Sequence, residues 1–95
     1  MIEFESFMEF TKAVEDRNID FIIKVVDRVI EAANVGDDRI VIFSTPDIFG
    51  DEILSFTITK DQYTHLLKRA LIDFEKAEMY EYCIKINNTI NNITD

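Results

Sequence analysis

The stretch "RIVIFSTPDIFGDEILSFTITK", Arg39 to Lys60, decides the fold. Its opening, Arg39–Ser44, holds four consecutive apolar residues, Ile40 to Phe43, that follow no helical spacing and are β-branched or aromatic. It reads as a strand buried on both faces or nearly so. Residues Thr45–Asp51 carry the only proline and the second of two glycines, so they connect rather than pair. Glu52–Lys60 then alternates, with Leu54, Phe56 and Ile58 pointing one way and Ser55, Thr57 and Thr59 the other, as in a half-buried strand. The simplest pairing is an antiparallel hairpin. Its connection contains Ile48 and Phe49, apolar residues where a loop is expected to be polar. Exposed, they make a docking tip; tucked back, they cap the core, and the sequence leaves both open.

Outward from the hairpin the spacing is helical on both sides. Residues 3–16 place Phe4, Phe7, Met8, Thr11 and Val14 on one stripe. A second helix runs to about Asn34 on Ile19, Ile22, Ile23, Val26, Val29, Ile30 and Ala33, with Asn18 or Asp16 as its cap and Gly36 as its stop. One bent helix over 3–34 is the alternative. After the hairpin, Thr59 or Asp61 caps a helix whose stripe is Tyr63, Leu66, Leu67, Ala70, Leu71 and Phe74. The final stripe (Met79, Tyr82, Cys83, Ile86, Ile90, Ile93) does not continue that phase, which predicts a turn near Glu75–Met79. The expectation is a single α+β domain over residues 1–95 in the order α-α-β-β-α-α, with helices packed on a two-stranded antiparallel hairpin. Two strands make a poor sheet, so extension by a second copy, a homodimer, belongs to this reading.

Residues 66–93, "LLKRALIDFEKAEMYEYCIKINNTINNI", resemble the UVR-type helical hairpin of nucleotide-excision-repair proteins. The likeness lies in an apolar first helix, the Tyr80–Glu81 pair, Cys83 and Ile84, then Ile86 and Ile90. It departs at Asn87-Asn88, where that family usually has Arg-Asp. The resemblance implies a hairpin used for pairing between proteins.

The chain has 95 residues, 19 acidic and 10 basic, for a net charge of −9. Phosphates would be repelled, which argues against direct binding to nucleic acid or anionic membranes and for a basic protein surface as partner, including that of a nucleic-acid-binding protein. Plain solubility asks for the same surplus. One cysteine excludes an internal disulfide and suits a reducing compartment. Acids stand in "MIEFESFMEF" where a secretion signal would be basic, and no apolar run spans a bilayer, so a cytoplasmic location is expected, the host cytoplasm if the chain is phage-encoded.

Catalytic chemistry finds no support in residue pattern. Cys83 lacks a base or cation at helical spacing and reads as a small buried apolar residue. His65, between Asp61 and Arg69, reads as a surface residue in a charge ladder. Neither "GDD" (36–38) nor "GDE" (50–52) supplies the ligands of a calcium loop, and no glycine-rich phosphate loop occurs. The expectation is a protein that is not an enzyme and takes no cofactor. Its partner-binding candidates are Glu3, Glu5 and Glu9; Asp37 and Asp38; Asp47, Ile48, Phe49, Asp51 and Glu52; and Asp73, Glu75, Glu78 and Glu81. In size and charge the chain is similar to phage-encoded inhibitors that imitate DNA and block host nucleic-acid-binding or defence proteins. The functional expectation is therefore an inhibitor or adaptor acting on a basic surface. A scaffolding module that self-assembles through apolar helix faces is the alternative.

Overall fold

The strands arise from the stretch that carries strand spacing, plus Ile2 and Glu3, the second of which falls in the expected first helix. In the computed structural model, which describes residues 2–94, the order is β1 (Ile2–Glu3), α1 (Phe7–Glu15), α2 (Ile19–Val35), β2 (Arg39–Pro46), β3 (Ile53–Thr59), α3 (Lys60–Lys76) and α4 (Tyr80–Thr94). The class is α+β, but the element order and the two-stranded sheet are corrected. Ile2 and Glu3 pair in parallel with Phe43 and Ser44, giving a three-stranded mixed sheet in the order β1-β2-β3. The first helix starts at residue 7 rather than 3 because Ser6 caps it, its hydroxyl accepting from the Glu9 N–H at 3.2 Å.

β2 is the expected strand with one irregularity added. Val41 aligns with Thr57 and Phe43 with Phe56, so Ile42 is an extra residue, a β-bulge. The bulge shifts the side-chain phase of β2 by one. Ile40 and Phe43, three apart, therefore face the same side; Ile40 and Ile42 are buried and Phe43 is half-buried. Ile40 to Pro46 are all buried or half-buried, as expected of a strand buried on nearly both faces, and the bulge adds Ile42 to the core side. On the other face Ser44 is buried and Val41 and Pro46 are half-buried, while Arg39 and the β3 residues Ile53, Ser55 and Thr57 are exposed. β3 is an open edge, and six of its seven residues are exposed, where a half-buried strand was expected.

The helices cover one face. Val26, Val29 and Ala32 of α2, Tyr63, Leu67, Ala70 and Phe74 of α3, and Cys83 and Ile86 of α4 close on Ile40 and Ile42. α1 contributes no fully buried residue. It lies against a phenylalanine cluster in which Phe43 stacks on Phe56 at 4.5 Å and Phe10 meets both at 5.1 and 5.2 Å. Starting at residue 7, α1 turns Phe10 to the sheet and leaves Met8 and Val14, expected on its inner stripe, exposed. One sheet and its helices give Cα extents of 42 × 30 × 15 Å.

Helix ends set the remaining geometry. Gly36, at φ 81°, closes α2 in the left-handed conformation that glycine adopts without strain. α1 and α3 end through the same hydrogen-bond pattern with Arg17 (φ 46°) and Glu78 (φ 58°) in that position. The span 3–34 thus holds two helices rather than one bent helix. Asn18 caps the second, its Oδ1 accepting from the N–H groups of Asp20 and Phe21. The expected turn before α4 is present, and α3 and α4 form a helical hairpin in which Tyr82 stacks on Phe74 at 4.8 Å.

Candidate protein-docking surface

The connection between β2 and β3 is braced by its first residue. The Asp47 N–H donates to the Glu52 carbonyl at 2.8 Å, and the Asp47 carbonyl accepts from the Gly50 N–H at 3.0 Å. Its carboxylate Oδ1 accepts from the N–H groups of Phe49 at 3.1 Å and Asp51 at 3.0 Å. Gly50, at φ 76°, supplies the left-handed residue that the turn needs. Four hydrogen bonds thus hold a short turn whose apex side chains find no core to enter. Ile48 is 70% exposed and Phe49 81%. The choice left open by the sequence is decided: the pair forms a projecting tip.

The start of α1 lies beside this tip. Phe7, Met8 and Thr11 form one wall of a groove, Pro46, Ile48 and Phe49 the other, with Glu5 and Asp47 among its lining residues. The buried Thr45 hydroxyl ties the two together, within reach of the Ser6 carbonyl at 3.3 Å and the Pro46 carbonyl at 3.1 Å. Met8 is 80% exposed, so three large apolar side chains from two elements share one end of the molecule. Asp51 and Glu52 sit exposed in the same turn.

The structure brings together Glu5, Asp47, Ile48, Phe49, Asp51 and Glu52 of the candidate residues and places the others elsewhere. Asp37 and Asp38 precede β2 and so lie at the far end of that strand, about 25 Å away for eight residues. Their carbonyls accept from the Tyr63 hydroxyl at 3.0 Å and the Lys60 N–H at 2.6 Å, leaving both side chains exposed. Glu3 and Glu9 flank a different hollow, together with Asp16, Asp20, Lys12 and Lys24. Glu75, Glu78 and Glu81 are exposed around the α3–α4 bend. Asp73 is engaged internally by a two-pronged ion pair with Arg17, whose Nε donates to Oδ1 at 2.9 Å and whose Nη2 contacts Oδ2. That contact holds the Arg17 pKa above its ordinary value.

Two tyrosines also carry displaced pKa values. Burial, then the charges of Asp37 and Asp38 against an opposing effect of Arg28, raises the Tyr63 phenol. Burial and Asp27, which accepts from the Tyr82 hydroxyl at 3.3 Å, raise Tyr82. Both groups are structural: Tyr63 anchors the α2–β2 turn to α3, and Tyr82 joins α4 to α2. Cys83 is buried in the core and His65 is exposed on α3. Among the described residues no three of His, Cys, Asp and Glu are placed to hold a metal ion, and no helix is long and apolar enough to cross a membrane.

No family model, curated protein or solved structure matches the chain. Met8 is the residue of this apolar end that helical spacing misassigns. The signal that would have found it is "SFME", Ser6–Glu9, the S-x-x-E pattern of a helix start, which resets the phase of α1 and turns Met8 outward.

Proposed function

We propose that the chain is a non-enzymatic, acidic protein-binding module, an inhibitor or adaptor that seats its Ile48–Phe49 tip in an apolar pocket rimmed by basic groups on a partner protein. The observation that carries this reading is the braced, exposed apolar turn with Glu5, Asp51 and Glu52 around it. A turn already fixed by hydrogen bonds loses little freedom on docking, and aromatic anchors dominate the binding energy of protein interfaces. The carboxylates around it supply steering toward a cationic surface. The local UVR-type resemblance of the α3–α4 hairpin accords with a role in pairing between proteins. Imitation of a nucleic-acid duplex is the broader form of the proposal, drawing on the acids of the other clusters as well.

The test places a photo-crosslinking residue at Thr11, in the groove wall, and captures partners from the source cell at low and high salt. The reading expects a basic protein whose capture falls steeply with salt and is lost in Phe49→Ala. It also expects weakening by Asp51→Lys and Glu52→Lys. A partner held equally by Phe49→Ala, or equally at high salt, refutes it. Self-assembly draws on a different observation, the open edge of β3.

A further inference from the structure

An edge strand of a folded protein is ordinarily protected by charge, proline, a bulge or a covering segment. β3 has none of these along Ile53–Thr59: it contains no charged residue and no proline, the bulge is in β2, and six of its seven side chains are exposed. Ile53 is 69% exposed, Phe56 38% and Leu54 36%.

The hydrogen bonds that continue the ladder beyond both ends of β3 fix which backbone groups face outward. The Asp47 N–H donates to the Glu52 carbonyl at one end, and the Lys60 N–H to the Asp38 carbonyl at the other. Antiparallel bonding alternates, so counting inward from either end turns Glu52, Leu54, Phe56, Ile58 and Lys60 toward β2. Ser55 and Thr57 then present N–H and C=O to solvent. The Thr59 N–H also points outward and is taken by the Gln62 side chain at 2.9 Å.

We propose that β3 pairs antiparallel with β3 of a second copy about a two-fold axis at Phe56, joining two three-stranded sheets into one of six strands. The sequence is self-complementary in that register. Phe56 meets its own copy, Leu54 meets Ile58, and Ser55 meets Thr57, so apolar side chains meet on the helix-covered face and hydroxyls on the other. Ser55 and Thr57 exchange backbone bonds twice over, using the groups that face outward. Glu52 meets Lys60 of the second copy, once at each end. Charge complementarity at the ends of an uncharged strand selects a second copy in this register over an unrelated strand. The pairing does not depend on what the tip binds.

Sedimentation equilibrium across the micromolar range, with circular dichroism to follow folding, tests this. The wild type is expected to dimerise. Ser55→Pro removes an outward N–H that β2 does not use and is expected to abolish the dimer while keeping helicity; Thr57→Lys does the same by charge without touching the backbone. Lys60→Glu is expected to weaken pairing about fivefold to tenfold through the two symmetric contacts, and Glu52→Lys combined with it to restore pairing. A wild type that stays monomeric throughout, a dimer that survives both Ser55→Pro and Thr57→Lys, or a charge swap that fails to rescue overturns the proposal. A dimer unaffected by Phe49→Ala is expected, so a failure here is distinct from a failure of tip docking.

Discussion

Replacing Phe49 by alanine tests whether the tip projects. A phenylalanine has roughly 200 Å² of surface to bury. Phe49 is 81% exposed, which leaves about a fifth of that area covered. At about 25 cal/mol per Å², truncation loses no more than ~1 kcal/mol, a shift of roughly 4–8 °C in Tm for a domain of this size. Phe74 provides the internal standard. It is fully buried, stacked on Tyr82 and surrounded by the core, so the same substitution there is expected to cost about 3–5 kcal/mol. Urea denaturation of the two variants beside the wild type measures both. Phe49→Ala should leave the dependence on denaturant unchanged, since little surface changes state. A loss approaching that of Phe74→Ala would mean that the Phe49 ring is packed in the core, and the docking proposal would lose its anchor.

Asp47→Ala removes the acceptor of two exposed hydrogen bonds in the tip, and about 1 kcal/mol of stability is expected to go with it; hydrogen exchange faster at Phe49 and Asp51 than elsewhere would locate the loss. Glu78→Gly relieves a left-handed residue in the α3–α4 turn and is expected to stabilise by up to ~1 kcal/mol, less the entropy that glycine adds to the unfolded chain; thermal denaturation decides the sign. Arg17→Ala loses the Asp73 pair and keeps the left-handed strain, so it should be less stable than Arg17→Gly, which loses the pair alone. The Tyr63 and Tyr82 phenols hold their protons more tightly folded than unfolded. Their contribution is fully present below the ordinary tyrosine value near ~10 and is lost as pH rises through the raised folded values, so stability should decline above about pH 10 and decline less in Tyr63→Phe. Denaturation midpoints measured through that range, beside phenolate absorbance, check it.

Where the sequence made the fold legible, a local residue signalled the backbone. Gly36 marks the end of α2, Asn18 its start, and the loss of helical phase at Glu75–Met79 marks the last turn; all three hold in the structure. The α1–α2 break is harder to read because Arg17 takes a conformation usually given to glycine, and its Asp73 partner is 56 positions away. The bulge at Ile42 leaves no local trace, since a bulged strand and a regular one buried on both faces share the same apolar run. β1 is two residues long and is set by Ile2 lying beside Phe43 and by the Phe4 N–H donating to the Ser44 carbonyl, both long-range. Ile48 and Phe49 were visible as misplaced apolar residues, but their exposure depends on Asp47 turning its carboxylate inward on its own loop.

The eight phenylalanines set the exposure of Phe49 apart from the rest. Six (Phe4, Phe7, Phe10, Phe21, Phe43 and Phe56) join one cluster with ring centroids 4.5–5.9 Å apart, and Phe74 stacks on Tyr82. Phe49 alone among them makes no ring contact within the described residues, although the cluster begins only a few residues away along either strand. A loop that bent inward would bring its ring toward Phe7 and Phe10. The hydrogen bonds to Asp47 hold the turn in the opposite sense, toward solvent. Single exposed apolar residues are ordinary on a protein surface, whereas Ile48, Phe49 and Met8 are adjacent and come from two elements. Loosening the turn and truncating its ring therefore separate two properties. If projection serves docking, Asp47→Ala should weaken partner binding while the ring is still present, and the loss should appear as a faster dissociation rate rather than a slower association. An Asp47→Ala variant that binds as the wild type does would show that the braced geometry is incidental to recognition.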